Sequence, residues 1–192
     1  MEAKSLACER GGRPIFKDLS FEVRGGEVVE LRGSNGSGKS SLLRLLAGLN
    51  KPVAGSLSLT GQTEVVATQA HYIGHHDALK PALTVKENLD FWASFQGGAA
   101  NLYPFKLQHL ADDEARLLSE GQRRRLSLSR LVSVKRPVWL LDEPTVGLDQ
   151  TALADLRGMM AAHLSQGGLV IAATHADLGL PKMHVIKLEA RG

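Results

Sequence analysis

Eight consecutive residues, Gly33-Ser34-Asn35-Gly36-Ser37-Gly38-Lys39-Ser40, constrain what this chain can fold into more than any other stretch. Gly33, Gly36 and Gly38 free the backbone for conformations that side chains disfavour, so that successive amide N–H groups can turn toward one point. Glu27-Val28-Val29-Glu30-Leu31 directly before them reads as a strand. From Lys39 onward Leu42, Leu43, Leu45, Leu46 and Leu49 recur at helical spacing, with Gly48 and Pro52 marking the helix end. A strand, a glycine loop and a helix in that order set the positive end of a helix behind a nest of amides. The sequence matches the phosphate-loop pattern G-x-x-x-x-G-K-[ST] position for position. In such a loop residues Gly33 to Ser41 form the cradle, Lys39 reaches the β- and γ-phosphates, and the Ser40 hydroxyl can ligate Mg²⁺. A merely flexible Gly/Ser loop would require neither the flanking elements nor Lys-Ser at this spacing.

The remaining periodicities point to an α/β domain. Val138-Trp139-Leu140-Leu141 and Leu169-Val170-Ile171-Ala172 are short continuous apolar runs, as a parallel sheet covered on both faces requires. Leu153, Leu156, Met160 and Leu164 make a helical crossover between them. Leu19, Phe21 and Val23 alternate with polar residues as a half-buried strand that ends in the Arg24-Gly25-Gly26 turn. From about residue 81 to 135 buried-strand runs are missing and the chain reads as helical, interrupted by Gly97-Gly98-Ala99-Ala100-Asn101. With 192 residues, 43% of them hydrophobic, one domain is expected.

Other features exclude rather than assign. The single Cys8 rules out an internal disulfide framework, supplies no metal-ligand spacing, and is expected to be a buried small hydrophobe. No apolar stretch resembles a signal peptide or approaches a membrane span, so a cytoplasmic chain is expected. A formal charge of +3 suits an anionic ligand, a membrane surface or nucleic acid equally well.

A second chemical motif ends the Val138 run: Asp142-Glu143-Pro144 delivers two adjacent carboxylates at the C-terminal end of a strand, where ligands sit in open α/β sheets. Taken alone, an Asp-Glu pair is commonly a solvated turn. Beside a phosphate loop the two acids divide the work, Asp142 holding Mg²⁺ and Glu143 polarising the water that attacks the γ-phosphate.

Leu118-Ser119-Glu120-Gly121-Gln122 resembles the signature of the ABC ATPases, usually Leu-Ser-Gly-Gly-Gln, and is followed as in that family by a basic helix, Arg123-Arg124-Arg125. Gly147-Leu148-Asp149 is similar to the family's D-loop and Thr174-His175 to its switch histidine, in the same order. The resemblance covers roughly residues 5 to 190. It implies a P-loop NTPase fold with a mostly parallel core sheet at about 1–74 and 136–192, an N-terminal antiparallel β region, and a helical subdomain inserted at about 75–135. It implies ATP and Mg²⁺ as ligands and ATP hydrolysis with Lys39, Glu143 and His175 at the reacting phosphate. It further implies head-to-tail pairing of two copies, in which Ser119, Gly121 and Gln122 of one close on the nucleotide of the other. No nucleic-acid partner is expected.

Departures from the family narrow the reading. His75, in Tyr72-Ile73-Gly74-His75-His76-Asp77, stands where a glutamine near the metal is usual, so His75 joins Ser40 and Asp142 as a metal-ligand candidate. Glu120 replaces a glycine, and Arg10 takes the approximate place of the aromatic that stacks on adenine, leaving Arg10 or Phe16 to meet the base. The start Leu6-Ala7-Cys8-Glu9-Arg10, the loop and the Ile73-Gly74-His75 corner together resemble the ATP-binding subunits of cytochrome c maturation systems, the haem-export type of ABC cassette. That resemblance implies a peripheral subunit on the cytoplasmic face of a bacterial inner membrane, docked on an integral membrane partner and powering haem delivery by release of a loaded chaperone. A cassette for a different transported substrate, or an ABC ATPase outside transport, is the alternative. Phe91, Trp92, Phe95, Tyr103 and Phe105 cluster in the helical region, either as its core or as anchors for the membrane partner.

Overall fold

The computed structural model describes residues 1–59, 66–180 and 183–189. In chain order the main elements are β1 (Glu2–Arg10), β2 (Arg13–Glu22), β3 (Val28–Arg32), α1 (Lys39–Leu46), β4 (Ala54–Ser58), α2 (Val66–Gln69) and β5 (Ala70–Ile73). They continue with α3 (Val85–Gln96), α4 (Glu120–Ser129), β6 (Val138–Asp142), α5 (Gln150–Ser165), β7 (Leu169–Ala173) and β8 (Met183–Lys187). Five strands form a parallel sheet in the order β5-β6-β7-β3-β8, and three form an antiparallel sheet in the order β2-β1-β4.

The uninterrupted apolar runs find their explanation in this sheet. Side chains alternate across a strand, and both faces are covered, so neighbours in sequence enter different cores. Val29, Leu31, Val138, Leu140, Leu169 and Ile171 pack with the leucines of α1 and the inner face of the antiparallel sheet. Val28, Trp139, Leu141, Val170 and Ala172 pack with α3, α4 and α5. On that second face Glu30 is buried and accepts two bonds of 2.9 Å from the Arg32 guanidinium.

The antiparallel sheet forms because β1 presents Ala3, Leu6 and Cys8 to the first core while Glu2, Lys4, Ser5, Glu9 and Arg10 face water. Cys8 is buried there. The β1–β2 hairpin turns over Gly11 and Gly12, whose φ values of +58° and +74° are those a two-residue hairpin needs. Helix α1 stops sooner than its leucine spacing suggests. Gly48 takes a φ of +72°, the chain leaves the helix, and Leu49 is 61% exposed.

The region between β5 and β6 carries no strand among the described residues, but it is only partly helical. A capping box starts α3, with Thr84 Oγ1 accepting from Glu87 N and Glu87 answering at Thr84 N, and left-handed Gly97 ends it. From Gly97 to Ser119 only two 3₁₀ turns form, Gln108–Leu110 and Ala115–Leu117, since Gly97, Gly98 and Pro104 break any longer helix. Of the clustered aromatics Phe105 is core, while Phe95 and Tyr103 are 77% and 76% exposed. No helix among the described residues is long and apolar enough to cross a membrane.

Candidate functional site

Parallel pairing of β5, β6, β7 and β3 brings four strand ends to one edge of the sheet. From β3 issues the glycine loop, from β6 the Asp142-Glu143 pair, from β7 Thr174-His175, and from β5 the Gly74-His75 corner. Motifs far apart in sequence therefore meet, at the edge where open α/β sheets bind ligands.

The loop's glycines have separate jobs. Gly38 is left-handed at φ 101° and stands before the first turn of α1, where a Cβ would run into the Ile15 side chain. At Gly33 a Cβ would strike the Leu188 carbonyl and the Ser37 hydroxyl. Lys39 Nζ donates to the carbonyls of Gly33 (2.7 Å) and Ser34 (3.1 Å) and so bridges the loop's start. A cleft of about 500 Å³ opens over Asn35, Gly36, Gly38, Lys39, Ser40 and Ser41, facing His75, Asp142 and Glu143. Gly33, Ser34 and Ser37 do not line it and act as the loop's support.

The far wall of the cleft is the β1–β2 hairpin, through Arg10, Arg13, Pro14 and Ile15. Phe16 belongs to the first core at 6% exposure, so its ring is not free to stack on a base; of the two candidates only Arg10 faces the cleft. Sequence reasoning missed Arg13 and Ile15 there, although Arg13 sits directly opposite Arg10 in the hairpin register.

For Mg²⁺ the donor chemistry fits. Ser40 and Asp142 offer hard oxygen ligands to one cleft, which His75 also lines. Among the described residues no cluster of three or more His, Cys, Asp or Glu could by itself enclose a metal.

Glu143 is the most constrained residue of the site. Its φ is +47°, a left-handed conformation that is uncommon for a residue with a side chain. The backbone N–H donates to the Ala173 carbonyl at 2.7 Å, and Oε1 lies 3.7 Å from His175 Nε2. Thr174, before that histidine, is buried, and its hydroxyl accepts from Ala176 N at 3.1 Å, fixing the turn that carries His175. Glu143 also lines a second cavity of about 230 Å³ with His75, His76, Asp77, Glu120, Arg124 and Val146.

The candidate residues at the start of α4 sit apart from the phosphate loop of their own chain. Ser119 caps the helix, its hydroxyl accepting from Gln122 N at 3.2 Å while Gln122 Oε1 accepts from Ser119 N at 2.8 Å. Gly121 packs against the loop after β6, where a Cβ would come within 2.6 Å of the Gly147 carbonyl. None of Ser119, Gly121 and Gln122 lines the 500 Å³ cleft. The arginine run is not a solvated face. Arg123 donates to the Leu118 carbonyl at 2.8 Å, Arg125 to that of Gly121 at 3.4 Å, and Arg124 is buried beneath the helix. Its burial was readable from spacing, because Arg124, Leu128 and Leu131 fall on one helical stripe.

A phosphate loop, an acidic strand end and a capped signature helix on a parallel α/β sheet define a nucleotide-hydrolysing cassette. Residues 16–146 match the ABC transporter family, to which the chain belongs; it is an ABC-type ATP hydrolase. Within that family its curated relatives include cytochrome c biogenesis ATP-binding export proteins CcmA. That of Rhodopseudomonas palustris (strain HaA2) is 51% identical over 187 residues, covering 94% of each chain. That of Brucella abortus (strain 2308) is 46% identical over 187 residues, covering 94% of this chain and 87% of its own. Among solved structures, an ATP-binding subunit of an ABC transporter superposes with a TM-score of 0.84 at 24% identity, covering 100% of this chain and 88% of its own. The ATP-binding cassette MJ0796, a post-hydrolysis dimer bound to ADP and Pi, superposes with a TM-score of 0.82 at 22% identity, covering 100% and 96%.

Proposed function

We propose that this chain hydrolyses ATP in a two-copy assembly and serves as the motor of a membrane complex for cytochrome c biogenesis. One observation carries the two-copy mechanism: the cleft gathers Lys39, Ser40, Asp142 and Glu143, while Ser119 and Gly121 lie outside it on a separate helix start. In this reading the loop amides and Lys39 hold the β- and γ-phosphates. Glu143, with His175 at its carboxylate, orients the attacking water and takes its proton. Mg²⁺ held by Ser40 and Asp142, with His75 at its edge, neutralises charge on the phosphates. Ser119 and Gly121 of a second copy present a capped helix start to the γ-phosphate and complete the site. Residues 1–74 and 136–192 form the nucleotide-binding core, and 75–135 the helical part that meets the membrane partner through exposed Phe91 and Phe95. The likeness to cytochrome c biogenesis export proteins supports the pathway, and within it release of a haem-loaded chaperone is the work proposed.

Light scattering of the Glu143→Gln chain with ATP and Mg²⁺, beside steady-state turnover of the unmodified chain and of Lys39→Ala, tests the mechanism. A trapped dimer and loss of turnover in both variants are expected. Normal turnover with no dimer for Glu143→Gln would remove both the base assignment and the shared site. Affinity capture of the native membrane partner separates cytochrome c biogenesis from a different cargo.

A further inference from the structure

Arg124 makes more connections than any other side chain near the cleft. Its Nη1 donates to the Gly74 carbonyl at 3.0 Å and to Asp77 Oδ1 at 3.1 Å. Its Nη2 donates to the Asp142 carbonyl at 2.8 Å and the Glu143 carbonyl at 2.7 Å. The residue is 4% exposed, so these bonds are made away from water, where a charged donor is worth most and its loss costs most. A planar fork is required. One arm reaches the turn after β5 and the other the end of β6, and a lysine's single nitrogen cannot serve both.

The second arm ends on the strained residue. Glu143 holds its left-handed φ of +47° between two anchors, its N–H on the Ala173 carbonyl and its own carbonyl under Arg124. Such a conformation persists only where surrounding bonds over-determine it. Arg124 does not itself line the cleft over the phosphate loop; it reaches the cleft through the backbone carbonyls of the two acids that do, Asp142 and Glu143. It also stands in α4, one turn from the Ser119 cap, and so joins the helix start proposed to face the second copy to this copy's own acid.

We infer that Arg124 is a positioning residue for the hydrolytic step: it fixes the backbone of Glu143 and transmits the placement of α4 to that carboxylate. The inference rests on the reading of Glu143 as the group that orients water. Displacing that carboxylate slows the chemical step and leaves nucleotide binding intact.

The experiment is a double-mutant cycle on the full chain. Arg124→Lys and Arg124→Gln are each made alone and with Glu143→Gln, with kcat, KM and the affinity for a fluorescent ATP analogue measured and folding followed by circular dichroism. Alone, each variant should lower kcat by about ten- to a hundredfold, Lys less than Gln, with analogue affinity within about twofold. Combined with Glu143→Gln, neither should lower the residual rate further, because no base remains to be misplaced. Unchanged kcat, equal fold-losses in both backgrounds, or affinity falling in step with kcat would each overturn the inference. Should the Gln variant not fold, the Lys variant decides alone. If Glu143→Gln itself keeps full turnover, the base reading fails; if it loses turnover while Arg124→Lys does not, only the role of Arg124 fails.

Discussion

Arg10 and Arg13 face each other across the tip of the β1–β2 hairpin, and neither has an ion-pair partner among the described residues. Two like charges directly opposite on a strand pair repel, and an electron-rich ring seated against them relieves that cost. The base of the nucleotide is expected there, held by guanidinium faces and the Ile15 side chain. Arg10→Ala should raise KM for ATP about fivefold with little change in kcat, the loss of roughly 1 kcal/mol of cation–π attraction. Steady-state kinetics on the variant checks this, and an unchanged KM would place the base elsewhere. At this scale the sequence was informative wherever chemistry demands a residue type: Gly36, Gly38, Lys39, Asp142 and Glu143, singled out by their spacing, line one cleft. The fate of Phe16 was not legible. Its direction depends on the β1–β2 register, which shifts between Leu6 and Cys8 and again between Cys8 and Glu9, and alternation within one strand cannot register a bulge in its partner.

The start of α4 carries two constraints that a signature pattern does not reveal. Ser119→Ala removes the side-chain half of a capping box and should cost about 1 kcal/mol, read as a lowered urea midpoint. Gly121→Ala puts a methyl against the Gly147 carbonyl, 2.6 Å from its Cβ, so the helix start or the loop after β6 must shift. A loss of about 1–3 kcal/mol is expected, together with lowered turnover. A fully stable, active Gly121→Ala chain would show that the two loops separate freely. Among elements, β6, β7 and α5 were legible to within a few residues because long apolar runs and a full helical stripe leave little choice. Strands β4 and β5 were not, since four or five residues give no periodicity to read and their pairing is set by distant partners. The stretch from Gly97 to Ser119 read as helical only because it lacked strand signals, and absence of one pattern is not presence of the other.

At the scale of the whole molecule, acid sensitivity is built into the edge opposite the cleft. His71 is buried in β5 with Nε2 2.8 Å from the Val134 carbonyl, and burial pushes its pKa down to about 4. His163, stacked on Trp139 with ring centres 4.0 Å apart, is lowered for the same reason. Both are neutral in the fold, while the unfolded chain takes up their protons near pH 6.5. Their contribution is therefore complete above that pH and falls away in acid; that of His71, about 3 kcal/mol, is lost as pH falls from about 6.5 toward 4. Urea unfolding at pH 7.5 and 5 should show about 2 kcal/mol of this loss, and His71→Asn should reduce the difference between the two. An equal difference in the variant would assign the acid sensitivity to carboxylates.

Leu140 and Leu141 are neighbours, chemically identical and equally buried, yet they belong to different cores. Position parity along β6 thus decides which part of the machine a substitution reaches. Trimming Leu140 to alanine loosens the support of α1 beneath the phosphate loop, and trimming Leu141 loosens the seat of α4 and α5. Each should cost about 2–5 kcal/mol of stability, but nucleotide affinity should suffer mainly from the first and turnover at saturating ATP mainly from the second. A one-residue step along a single strand thus selects between two cores, one under the phosphate loop's helix and one under α4 and α5, within one folded sheet.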